Sequence, residues 1–115
     1  MLILFNRPSY TDQELVGEIL REIGIAVHRH GYGQLCVGIP HFAKDTTQNL
    51  TKELYPYICE QLGYSDWRAV ERSIRSVIYD AWLNRNLEVW CRYFSDACRQ
   101  PSNKQFIAIL AEHLK

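Results

Sequence analysis

Apolar residues recur along this chain mostly at intervals of three and four, in blocks separated by glycine, proline and short polar runs. That spacing places side chains on one face of an α-helix. Thr11 and Glu14 stand at capping-box spacing, with a hydroxyl placed to accept from the third amide of a helix and a carboxylate placed to reach back. Leu15, Val16, Ile19, Leu20 and Ile23 then follow at helical intervals up to Gly24, which predicts a first amphipathic helix. Its opposite face carries Asp12, Glu14, Glu18 and Glu22, an acidic surface that repels phosphates.

The next stretch is less regular. Gly31, Gly33, Gly38 and Pro40 interrupt the periodicity of Leu35, Val37, Ile39 and Phe42, so a short or broken helix is predicted over 34–44. Pro56 has no amide to give inside a helix but suits a first turn, which predicts a short helix over 50–55 and a second over 56–62. Gly63 ends that second helix as a left-handed cap, and Ser65 or Asp66 caps the longest helix of the chain, 67–83. There Trp67, Val70, Ile74, Val77 or Ile78, and Ala81 or Trp82 form a continuous apolar stripe. A further amphipathic stretch is predicted over 87–94, with Leu87, Trp90, Cys91 and Phe94 on one face. Pro101, and Ser102 with Gln105 at capping-box spacing, announce a last helix that buries Phe106, Ile107, Ile109, Leu110 and Leu114. No period-two pattern competes, so the fold class predicted is all-α with about six helices.

Length and composition fit one core. A chain of 115 residues with 47% hydrophobic positions can bury enough surface to fold without disulfides or a metal. The expected organisation is an N-terminal extension over 1–10 and a single helical domain over 11–115. Cys36, Cys59, Cys91 and Cys98 include no pair two residues apart, so they read as buried thiols of a reducing compartment and not as metal ligands. His28, His30 and His41 read as surface and loop histidines. No paired-carboxylate signature, nucleophile motif or glycine-rich phosphate loop after a strand is present, and Gly31-Tyr32-Gly33 lacks the strand; neither an enzyme nor a cofactor is expected. The apolar start, 1–5, is too short for a signal core, and no stretch approaches the roughly 20 apolar residues of a membrane span. A cytoplasmic location without membrane partners is the simplest expectation.

Thirteen basic and thirteen acidic residues cancel, so any nucleic-acid binding must come from a local patch. The outer side of the longest helix supplies one: Arg68, Glu71, Arg72, Arg75, Ser76 and Tyr79. Three arginines in the amino-terminal half of a helix are disfavoured by the macrodipole and by one another, and a partner that neutralises them accounts for the arrangement. A short helix, a glycine-containing turn and a longer arginine-fronted helix, over 56–83, follow the plan of a helix-turn-helix. Arginine reads guanine through O6 and N7 and glutamate accepts from the cytosine amine, so Arg72 and Arg75 flanked by Glu71 suit a G/C-containing site. The plainer reading is a solvated face, its arginines laced to Glu71 by weak surface pairs.

The run Ala69, Val70, Glu71, Arg72, Ser73, Ile74, Arg75, continuing to Ala81 and Trp82, resembles the recognition helix of the C-terminal effector domain of stage 0 sporulation protein A, the sporulation master response regulator. Leu20 to Gly24 with His28 and Gly31-Tyr32, then Leu54-Tyr55-Pro56 with Ile58, then Pro101 to Asn103 with Phe106-Ile107-Ala108, resemble that domain in the same order, so the likeness spans residues 14–114. The resemblance implies a six-helical domain that binds double-stranded DNA at a short G/C-containing promoter box, often as tandem copies or dimers, and that contacts the sigma factor of RNA polymerase. It implies base-reading roles for Glu71, Arg72 and Arg75, positions near phosphates for Ser76 and Tyr79, and sigma contact through 86–96. Arg68, on the same helix front, is expected to position the helix on phosphates. Three departures accompany it: a turn between Leu62 and Val70 one residue longer, a second helix broken by Gly38 and Pro40, and a segment after Asp45 about two residues shorter. No phosphoacceptor receiver domain is expected within these residues. The alternative expectation is a degenerate interaction module that binds sigma factor, polymerase or a full-length regulator without reading DNA, using the acidic first helix and exposed Tyr64 and Tyr79.

Overall fold

A computed structural model describes residues 11–114; the expected extension over 1–10 lies outside the described residues. Helix α1, Asp12–Ile23, opens on the anticipated capping box, the Glu14 amide donating to Thr11 Oγ1 at 3.1 Å and the Thr11 amide to Glu14 Oε1 at 2.8 Å. It stops at Gly24, whose φ of 110° is open to glycine and costly for other residues.

Helix α2 corrects the predicted break. It runs without interruption over His30–Lys44, through both Gly38 and Pro40. Gly38 is a packing position: a Cβ there would stand 2.7 Å from Ile58 Cδ1 of the helix crossing it. Pro40 removes one intrahelical hydrogen bond, at an intrinsic cost of about 3 kcal/mol. The burial of Leu35, Ile39, Pro40 and Phe42, with α2 packed against α1, α4 and α6, outweighs that local penalty.

The predicted division at Pro56 takes a different form. Residues Leu50–Leu54 make a π-helical turn, the Leu54 amide reaching the Asn49 carbonyl at 3.1 Å, and this runs straight into α3, Tyr55–Leu62. Pro56 falls in the first turn of α3, where its missing amide leaves no gap. Helix α4, Trp67–Leu83, is capped by Asp66, which accepts from the Arg68 amide at 2.9 Å. Its stripe of Val70, Ile74, Val77, Ile78 and Ala81 is buried, with Trp67 and Trp82 half-buried at its edges.

The stretch over 87–94 is a second correction. Helix α5 is one turn, Leu87–Trp90, and the chain then coils so that Trp90 and Phe94 enter the core with rings 4.6 Å apart. Leu87 stays 59% exposed and Cys91 exposed. Burial of the two rings drives this, and on the outer side Glu22 of α1 takes hydrogen bonds from both Arg92 and Tyr93. Helix α6, Asn103–Glu112, opens on the Ser102 and Gln105 capping box and buries Phe106, Ile107, Leu110 and Ala111; Ile109 and Leu114 are only half-buried.

The fold is all-helical, with six α-helices around one buried cluster and no strand among the described residues. The expected burial of the cysteines fails: Cys36 and Cys59 are half-buried free thiols, and Cys91 and Cys98 are exposed. His41 stacks on Tyr57 with centroids 3.6 Å apart, and His30 Nδ1 lies 3.0 Å from the hydroxyl of Tyr64. Tyr64 is therefore half-buried and engaged, contrary to its expected exposure. Among the described residues no helix is long and apolar enough to cross a membrane.

Candidate nucleic-acid interface

Helices α3 and α4 meet across a short turn. Gly63, at φ 80°, ends α3, and the Gly63 and Tyr64 amides both return to the Cys59 carbonyl, at 2.8 and 3.0 Å. Across the turn the rings of Tyr55 and Trp67 lie parallel within 9°, centroids 6.3 Å apart, joining the two helices at their amino-terminal ends. With one face of α4 sealed in the core, the chain's geometry leaves the other to solvent.

The six residues singled out from the sequence are not equivalent there. Arg72 and Arg75 are exposed, and among the described residues neither closes a salt bridge. Together with Ser76, Tyr79 and Gln100 they line a shallow groove of about 490 Å³, Tyr79 being 46% exposed. Arg68 folds back on its own helix cap, Nε 3.3 Å from Asp66 Oδ1 and its guanidinium 5.7 Å from the Trp67 ring centroid. The Arg68 amide, more than its guanidinium, holds the Asp66 carboxyl below the usual carboxylate range.

Glu71 is half-buried. Its carbonyl accepts from Asn103 Nδ2 at 3.1 Å, and the same amide nitrogen donates to the Tyr55 hydroxyl at 3.1 Å. Burial pushes the Tyr55 phenol up from its ordinary value, and the charge of the Glu71 carboxylate adds to it. Glu71 and Arg75 line a cleft of about 420 Å³ that reaches Asn49 in front of the π-helical turn and Ser102 and Lys104 at the start of α6. The front of α4 thus continues onto two neighbouring elements.

Ser76 is occupied from the other side. Arg29, just before α2, donates to Ser76 Oγ at 2.7 Å and to Asp80 Oδ2 at 2.5 Å. Sequence reasoning passed over Arg29, because its partners lie 47 and 51 positions away and no spacing rule connects them. Behind α4, Arg85 lies over the Trp82 ring at 4.6 Å and donates to the Trp82 carbonyl. The 86–96 segment begins at Asn86, which caps α5 through the Val89 amide.

A row of uncompensated arginines on a helix of 17 residues can donate paired hydrogen bonds to guanine edges or to phosphates. Among the described residues no group of three histidine, cysteine or acidic side chains gathers to hold a metal ion. A family model described as sporulation initiation factor Spo0A C terminal matches residues 16–114.

Proposed function

We infer that this chain, which belongs to the sporulation initiation factor Spo0A C-terminal family of DNA-binding effector domains, regulates transcription by laying α4 in the major groove of a specific DNA site. The observation that carries this reading is the pair Arg72 and Arg75, one turn apart, exposed and without a carboxylate partner among the described residues. A solvated helix face normally closes such charges into i, i+4 pairs. Here the two guanidinium groups read guanines, and Glu71 tests the neighbouring cytosine. Tyr79 meets a phosphate beside the groove, while Arg68 and Ser76 reach the backbone after giving up their contacts to Asp66 and Arg29.

The net charge of zero keeps non-specific affinity modest, so tandem or dimeric occupancy is needed on DNA. Contact with the sigma factor of RNA polymerase through 86–96 is the second part of the proposal. It is favoured by Leu87, which is left exposed on a segment braced to α1 by Glu22.

The experiment is a fluorescence-anisotropy titration against a duplex selected from a random pool and a scrambled control, at two salt concentrations. Tighter binding to the selected duplex, with a salt slope reporting several phosphates, is the outcome expected. Equal or absent binding overturns it in favour of an interaction module.

A further inference from the structure

On the side of α4 that faces α2 lies a cleft of about 290 Å³, lined by Arg29, His30, Arg72, Ser73 and Ser76 and floored in part by Gly31. Arg72 and Ser76 also line the groove that carries Arg75 and Tyr79, so the cleft is continuous with the front of α4. Of the two arginines that line it, Arg29 alone meets a carboxylate, that of Asp80, and Arg72 has none among the described residues, which leaves the cleft with an excess of positive charge.

Arg29 is built as a loaded cation. Its side chain and that of Asp80 are 34% and 50% exposed, so the pair sits at the surface, where such pairs contribute little and exchange readily. Two contacts use two of the five guanidinium N–H donors and leave three uncommitted among the described residues. The position on α4 matters as much. An α-helix with side chains, about 10 to 12 Å across, fills the major groove, about 12 Å wide, so a loop packed against its flank meets the groove's lip, where the phosphates run.

We propose that this cleft is a seat for one backbone phosphate of the bound DNA, with Arg29 as its principal donor and Arg72 bridging it to the base edges. The proposal rests on the major-groove reading of α4. Arg29 then serves as more than a brace: on binding, its guanidinium exchanges Asp80 and Ser76 for the phosphate oxygens, which frees the Ser76 hydroxyl for the same strand.

The test compares wild type, Arg29→Met, Arg29→Lys and Asp80→Asn by anisotropy on the selected and a random duplex over a series of salt concentrations. Arg29→Met should weaken both duplexes by the same factor, about three- to tenfold, and lower the slope of log K against log salt by about one. Arg29→Lys should keep the slope, and it carries the test should Arg29→Met fail to fold. Asp80→Asn, which releases Arg29 from its counter-charge, should hold or tighten binding to both. An unchanged slope in Arg29→Met overturns the proposal, as does a loss in Asp80→Asn equal to that in Arg29→Met, since Arg29 would then only brace α4. Thermal stabilisation by inorganic phosphate in the wild type but not in Arg29→Met, with equal DNA binding by both, would overturn it in favour of a free-anion site. Failure of the wild type to bind any duplex would overturn the major-groove reading itself, and the seat with it.

Discussion

Gly31 of α2 stands so close to Val77 of α4 that a Cβ on the glycine would lie 2.6 Å from Val77 Cγ2, with the Ser73 carbonyl at 2.7 Å. This close approach sets the distance between α2 and α4. Two of the obstacles are a branched side chain and a backbone oxygen, neither of which can swing aside. Gly31→Ala should therefore destabilise the fold by about 1 to 3 kcal/mol, because the strain exceeds the gain in helix propensity. Gly33, in the same helix, has nothing within 4 Å of its Cβ position. Gly33→Ala should instead stabilise by about 0.5 to 1 kcal/mol, so opposite shifts of the urea midpoint in the two variants check the relationship.

Arg72→Ala should cost about 1 to 3 kcal/mol of binding to the selected duplex and relax the preference at one base pair. Arg75→Ala should do the same at a neighbouring pair. Competition titrations against single-base variants of the duplex read this directly. Uniform weakening on every sequence would reassign either residue to a phosphate.

The Tyr93 hydroxyl donates to Glu22, and the phenol is pushed up to about 12, first by burial and then by the Glu22 carboxylate that its ionised form would face. A raised acid favours the folded state while it stays protonated. The contribution is whole below the unfolded value near 10 and is lost as pH rises from there through about 12. Alkaline titration of phenolate absorbance should show late tyrosines, Tyr55 and Tyr93, of which one step is lost in Tyr93→Phe, and stability above pH 10 should fall less steeply in that variant. An unchanged late step would dismiss the Glu22 contact.

Gln34 is fully buried in α2, and neither atom of its amide has a hydrogen-bond partner among the described residues. An unmet buried amide costs about 1 to 3 kcal/mol, whereas methionine fills nearly the same volume without polar atoms. Gln34→Met should raise the thermal midpoint. A fall would show that the amide is satisfied in solution and holds α2 in place.

Asn103 ties three helices by one amide nitrogen, donating to the Tyr55 hydroxyl and to the Glu71 carbonyl. Asn103→Ala should cost about 1 to 2 kcal/mol of stability. It should also loosen any discrimination that depends on Glu71 more than that of Arg72. Double variants on the selected duplex would separate the two, and equal loosening would uncouple α6 from the reading face.

Local chemistry wrote much of this molecule into its sequence. The capping boxes at Thr11 and Ser102, the stop at Gly24, a cap at Ser65 or Asp66 and the buried stripe from Val70 to Ala81 all depend on residues within one or two turns, so spacing alone predicts them. The exposed row of Arg72 and Arg75 follows from the same periodicity, since burying one side of α4 leaves the other outside. What lay beyond reach depends on residues far apart in the chain. Gly31 and Gly38 of α2 look like helix breakers until Val77 and Ile58 arrive to need their missing side chains, and Pro40 is carried by packing on three other helices. The segment after Trp90 leaves its helical pattern as Trp90 and Phe94 enter the core, with Glu22 bonded to it from 70 and 71 positions away. Arg29 joins α4 in the same way, through contacts that exist only once α2 and α4 have packed. Short-range hydrogen bonding and hydrophobic period determined the helices and the exposed face of α4. Close packing between distant segments, which only the tertiary structure supplies, decided how α2 and α5 run and what stands beside that face.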